Sequence, residues 1–180
     1  AVVGADGKAG LLSCVAARER VGRSGRVVGI GPDRSTAGAR LLLSEGYVDA
    51  FVEADARDAL GLREAARDAL PAGAHVTINC VNVAGSEAGT ILVTRDGGTI
   101  CFFSMCTSFT AAALGAEGFG RDLTMLIGNG FVRGHAEYAL GLLRNHAALR
   151  RYFVIRFSPG QRSGTPMQLG AAKSGSAESL

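Results

Sequence analysis

No apolar run in the 180-residue chain approaches the ~20 residues that cross a bilayer as a helix, so no membrane span is expected. The opening Ala1-Val2-Val3-Gly4 lacks the charged flank of a secretory leader and reads instead as folded core. Charge of one sign is also scarce: 19 Lys and Arg are interspersed with 16 Asp and Glu, leaving a net charge of only +3. That gives no basic stripe of the kind a nucleic acid needs. Neither nucleic acid nor membrane is therefore an expected partner. The four cysteines, Cys14, Cys80, Cys101 and Cys106, match neither a CxxC pair nor a zinc ribbon. The first three sit in apolar stretches, where cysteine acts as a small hydrophobe. Free thiols and a reducing, cytoplasmic setting are expected. Histidines number only three, and no cluster of ligand types offers a metal site. His75 and His146 have no companions that suggest catalysis, so no catalytic residue is assigned.

What is present is a series of short buried strands alternating with helical patterns. Ala1–Val3 leads into a glycine-rich turn, and 9–20 then has Leu11, Leu12, Val15 and Ala16 on one helical face. A second strand spans Arg26–Ile30 and ends at Gly31-Pro32. Helix follows over 35–45, with Gly46 at its end. Val48–Val52 is a weaker third strand, and helix over 57–70 stops at Pro71. His75–Val81 is a clear fourth strand, with a short helix over 86–93 after it. Gly97-Gly98 makes a turn before strand five, Thr99–Phe103. A short helix over 108–114, strand six at Leu123–Ile127 and one long helix from His135 to Tyr152 complete the series. This repetition predicts an α/β fold of Rossmann type: a doubly wound, parallel, six-stranded sheet in the order 3-2-1-4-5-6. The dinucleotide-binding domain is expected over 1–157. Residues 158–180, rich in Gly, Ser, Ala and Gln, read as an irregular tail. Strand six then lies at a sheet edge with unpaired backbone groups, so a homo-oligomer is expected.

The turn Gly4-Ala5-Asp6-Gly7-Lys8-Ala9-Gly10 has glycine at every third position between a strand and a helix. Side chains at these glycines would crowd the turn, block a pyrophosphate or hold the helix off the sheet. The first N–H groups of the helix would face the diphosphate, with the helix dipole favouring its charge. Gly4, Gly7, Lys8, Ala9 and Gly10 are thus candidate cofactor contacts, Lys8 either near the phosphates or toward solvent. Sites that prefer NAD usually place an acid at the end of strand two. Here Gly31 stands at that point, with Asp33 and Arg34 just beyond. Asp33 could reach the ribose and Arg34 a 2′-phosphate, or the two are simply a turn residue and a solvated cation. NAD and NADP both stay open.

Open α/β sheets bind ligands at the carboxyl ends of their strands. The loops there supply Cys80, Val81 and Asn82 after strand four, and Phe103, Ser104 and Met105, with Thr107, after strand five. Asn129 follows strand six. These are the candidates for the ribose and nicotinamide side of the cofactor. His135 and Glu137 open the last helix, where an acid suits the helix dipole; a role as acid, base or substrate contact is the alternative.

The run GADGKAGLL from Gly4 to Leu12 resembles the nucleotide-binding turn of medium-chain dehydrogenases/reductases. Three longer strings are more specific: INCVNVAGSE (Ile78–Glu87), FFSMCTSFTAAALGAEGFGRD (Phe102–Asp122) and IGNGFVRGHAE (Ile127–Glu137). Together they are similar to the L-erythro-3,5-diaminohexanoate dehydrogenase family, over residues 1 to about 150. The resemblance implies oxidative deamination of a 3,5-diamino acid to a 5-amino-3-oxo acid, with hydride passing to NAD or NADP and ammonia released. It implies a small amino-acid substrate, and a catalytic half preceding the nucleotide domain. With only three residues before Gly4, this chain is expected to be the cofactor half of a larger machine. Another medium-chain oxidoreductase, such as a quinone or enoyl reductase, and a non-catalytic nucleotide-binding module are the alternatives.

Overall fold

The structure, a computed structural model, describes residues 1–127 and 132–158. The first strand, β1, is only Val2–Val3, yet both of its edges are used. Val2 and Val3 pair with Gly29 and Ile30 of β2 (Val28–Gly31) and with Ile78 and Asn79 of β4 (Ala74–Asn79). β3 (Ala50–Glu53), β5 (Thr94–Phe102) and β6 (Leu123–Ile127) complete one sheet in the order β3-β2-β1-β4-β5-β6. Every pairing is parallel. This is the α/β architecture and strand order expected from the sequence, a Rossmann-like fold.

Alternate residues of each strand enter opposite cores, as the two-residue period of a strand requires. Val2, Val27 and Phe51 pack on one face against α1 (Lys8–Val21), α2 (Ala37–Ser44), α6 (His135–Asn145) and α7 (Ala147–Phe157), through Leu11, Leu42, Leu142 and Leu149. Val3, Ile30 and Val52 pack on the other face with Leu62 of α3 (Ala59–Ala65). Further along that second face, Ile100 and Phe102 meet Ile91 of α4 (Glu87–Val93) and Ala112 of α5 (Phe109–Gly118). The first face is not covered throughout. Val76 is 51% and Leu126 57% exposed, so among the described residues the helices shield the β1–β3 side and leave the β4–β6 side open.

Local capping explains several boundaries. The Thr36 hydroxyl accepts from the Ala39 N–H, Asp58 from Gly61 and Ser108 from Ala111, each starting a helix. Three boundaries depart from the sequence reading. The third helix is shorter, ending at Ala65, with turns carrying the chain on to Pro71. The Gly97-Gly98 turn lies inside a longer β5, where it appears as a register shift: Ala74 faces Thr94, but Val76 faces Thr99. The single terminal helix is two, broken at His146. There the backbone is extended, and the imidazole is held at both nitrogens: Nδ1 lies 3.2 Å from the Tyr47 hydroxyl and Nε2 2.8 Å from Glu19. His146 therefore does have companions, and they serve to tie the helical layer together. Of the tail expected over 158–180, only Ser158 is among the described residues.

Candidate functional site

The site is built on the turn between β1 and α1. Gly4 has φ of +77°, a conformation L side chains rarely adopt, and a Cβ there would stand 3.1 Å from the backbone of Cys80 and Val81. At Gly10 a Cβ would lie 2.0 Å from the Gly4 carbonyl oxygen. The protein's own packing thus demands glycine at both ends of the motif. The middle glycine is different. A Cβ at Gly7 would meet only the Gly4 oxygen, at an ordinary 3.5 Å, and the residue is exposed. Nothing among the described residues needs that space.

Gly7 is also the N-cap of α1 and supplies no side-chain hydrogen bond, and no acid occupies the first helical turn. The opening N–H groups of Lys8, Ala9 and Gly10 are therefore left without a capping side chain at the positive end of a helix dipole. An anion is what such an end accepts. Lys8 does not point freely to solvent: its Nζ lies 4.4 Å from the centroid of Phe157, at the end of α7.

At the end of β2, Asp33 is tied into the turn by hydrogen bonds from Ser35, 2.6 Å from its N–H. Those bonds from the Ser35 hydroxyl and N–H hold its carboxyl below the usual carboxylate value. The Arg34 N–H donates to Glu53, at the end of β3, at 3.0 Å. Glu53 was not singled out from the sequence, since nothing in the linear order places it beside Arg34.

The loops after β4 and β5 are joined to each other. The Cys106 thiol donates to the Asn82 side-chain oxygen at 3.3 Å, and the Phe103 N–H to the Asn79 carbonyl at 3.0 Å. Beneath them, Asn79 is fully buried and donates to Ser86 and Thr90 while accepting from the Val81 N–H. Glu87 is also buried and accepts from the Ser108 N–H at 2.6 Å. Neither Asn79 nor Glu87 was assigned from sequence. A buried acid in a loop-to-helix junction was the available signal. Ser104 accepts from the Cys106 N–H, shaping the loop after β5. Phe103 and Met105 are half and almost wholly exposed, as are Val83 in the loop after β4 and Phe109 at the start of α5.

Burial raises the Cys80 thiol to about 11, and its sulfur lies 3.7 Å from the Ser13 hydroxyl. Burial also pushes up Cys14 and Cys101. All four cysteines are unpaired. The His135 Nδ1 lies 2.6 Å from the Val132 carbonyl oxygen. Asn129 lies outside the described residues. Two clefts open elsewhere, at the amino ends of the strands, and neither touches the turn. Among the described residues no group of His, Cys, Asp and Glu could hold a metal ion, and no helix is long and apolar enough to cross a membrane.

The glycine turn and the uncapped start of α1 together leave space and unpaired N–H groups that suit an anion. The chain is 45% identical over 153 residues to the L-erythro-3,5-diaminohexanoate dehydrogenase of Acetoanaerobium sticklandii, and 42% identical over 154 residues to that of Fusobacterium nucleatum. The chain resembles the L-erythro-3,5-diaminohexanoate dehydrogenases. The match covers 84% and 85% of this chain but only 44% of either relative, so the chain spans less than half their length. No family model matches. Among solved structures, the crystal structure of AibC aligns with a TM-score of 0.57 at 19% identity, over 83% of this chain and 39% of that one. At that identity the likeness concerns the fold alone.

Proposed function

We propose that this chain is the nicotinamide-dinucleotide-binding domain of a dehydrogenase that acts on a small amino acid by oxidative deamination, a reading supported by its likeness to two L-erythro-3,5-diaminohexanoate dehydrogenases. The observation that carries the reading is Gly7. Its space is unneeded by the described residues and lies at an uncapped helix start, where a pyrophosphate would come closest. Gly4, Gly7, Lys8, Ala9 and Gly10 would hold the diphosphate, with Asp33 and Arg34 on the adenosine side. The loops with Cys80, Val81, Asn82, Phe103, Ser104, Met105 and Asn129 would run along the nicotinamide side. The bound cofactor supplies a hydride acceptor. That acceptor would serve oxidation of the C3 amine of a 3,5-diamino acid, whose net outcome with water would be a 3-oxo group and ammonia. No catalytic acid or base is assigned to this chain.

The test is calorimetric titration of the folded chain with NADH and NADPH. Binding of at least one is expected, and its loss in Gly7→Val with the fold intact; a folded chain that binds neither overturns the reading. The second reading is the cofactor domain of an NADP-dependent quinone or enoyl reductase, favoured by Gly31 where an acid would serve NAD. Turnover of an enone but not a diamine by the full-length gene product would select it. Binding with no turnover of either would select a non-catalytic nucleotide module. We also propose self-association through β6, whose edge is the sheet's end and whose Leu126 is exposed. A monomer by light scattering at micromolar concentration would contradict that. The unpaired thiols suit a reducing, cytoplasmic setting.

A further inference from the structure

The end of β2 holds Gly31 where a dinucleotide site for NAD would present its ribose-binding acid. The space beside Gly31 is not empty. A Cβ on that residue would stand 2.9 Å from the Asp6 Oδ1, 3.5 Å from its carboxyl carbon, and 2.9 Å from the Cζ of the Phe51 ring. An acid reaching out from residue 31 would thus meet a carboxylate already there, supplied by the glycine-rich turn. A second glycine helps to seat it: at Gly38, in the first turn of α2, a Cβ would lie 2.8 Å from the Asp6 carbonyl oxygen and 3.3 Å from its Cβ. Both β2 and α2 therefore leave out a side chain where Asp6 stands.

Asp6 is only partly buried, and among the described residues its carboxylate takes part in no hydrogen bond or ion pair. The acids just beyond β2 and at the end of β3 are already engaged: Asp33 accepts from Ser35, and Glu53 accepts from the Arg34 N–H. A carboxylate with no hydrogen-bond or ion-pair partner among the described residues, in the turn proposed to hold the pyrophosphate, has its acceptor oxygens free for a ligand. Vicinal ribose hydroxyls are donors that suit it. A 2′-phosphate there would face like charge instead.

We propose that Asp6 is the residue that reads the adenosine ribose, and that it makes NAD rather than NADP the cofactor. The proposal rests on the dinucleotide-binding reading above. It moves the specificity-determining acid from the end of β2 into the turn itself, and Gly31 becomes the vacancy that admits it rather than a sign of NADP.

Titration of the 180-residue chain with NADH and with NADPH, in parallel, tests it. Wild type is expected to bind NADH more tightly by on the order of tenfold to a hundredfold, the worth of one hydrogen-bonded charge. Asp6→Asn, which keeps the shape and removes the charge, should weaken NADH, strengthen NADPH and bring the two within a few-fold. Asp6→Ser serves as the second variant, with circular dichroism to show that each is folded. A wild-type preference for NADPH, which needs no variant, overturns the proposal. So does a ratio that stays unchanged in a folded Asp6 variant, and in both cases the dinucleotide reading survives. If neither dinucleotide binds wild type, that reading falls and takes this proposal with it.

Discussion

Across β1 and β2 the carboxyl edge of the sheet is closed by backbone pressed against glycine, whereas past β4 and β5 it is fringed by exposed apolar side chains. In the first half, Gly4 and Gly10 are fixed by contacts with the chain itself, and the helices α1, α2, α6 and α7 seal the face behind them. In the second half, Phe103 and Met105 stand out from the loops, and Val76 and Leu126 lie bare on the sheet. The first half has the closed glycine turn on which the proposed phosphate cradle rests. The second has a buried polar frame, Asn79 and Glu87, beneath a surface that still has apolar area to cover. The nicotinamide end of the proposed cofactor would belong on that second side.

The largest expected effect breaks the closed half. Gly10→Val should cost about 3 kcal/mol or more, because its first carbon would fall on the Gly4 carbonyl and only backbone can yield. Gly7→Val should change stability by only about 1 kcal/mol, and is expected to show its effect in cofactor binding instead. Urea unfolding of the two variants side by side reads the contrast. Equal destabilisation would mean that Gly7 is as much a packing glycine as Gly10.

Next comes the frame of the open half. Glu87→Ala should lose about 2 kcal/mol, since it strands the Ser108 N–H and leaves buried space. Glu87→Gln retains an acceptor and should recover most of that loss. A further probe is thiol chemistry. Burial holds Cys14, Cys80 and Cys101 in the protonated form, and only Cys106 is exposed. Iodoacetamide should therefore modify Cys106 first, and NADH should slow it several-fold if the loops after β4 and β5 line the cofactor. Labelling indifferent to NADH would remove Cys106 and its partner Asn82 from that side of the site.

The smallest effect concerns acid. Burial pushes the Asp49 carboxyl up, but the Val27 N–H and the Arg18 guanidinium, 2.5 Å away, together hold it below its ordinary value. Its contribution is then present above the unfolded-state carboxylate pKa and is lost as pH falls through the lowered folded value. Asp49→Asn should flatten the stability profile in that acid window and leave the slope above it unchanged. Acid unfolding followed by circular dichroism would show this.

Strand order and the turn were legible from sequence because they rest on local signals: apolar runs of strand length, glycine spacing, and helix after strand. The long strings after strands four and five likewise carried the resemblance. What escaped was non-local. Asp6 reads as one polar residue in a turn until Gly31 and Gly38, distant in sequence, are seen to make room for it. Glu87 meets Ser108 across 21 positions, and His146 breaks a helix where its ring meets Tyr47, 99 positions away, and Glu19. Apolar periodicity runs smoothly through His146 and gives no hint of the break, whose partners lie in other elements.

The contrast between the two halves is tested most directly by titrating the folded 180-residue chain with ADP-ribose, which carries the adenosine diphosphate but no nicotinamide. If the closed half alone forms the cradle, ADP-ribose should bind within about tenfold of the NADH affinity, and Gly7→Val should abolish it. A folded chain that binds NADH but not ADP-ribose, or binds neither, would contradict the assignment of the glycine turn as the cradle.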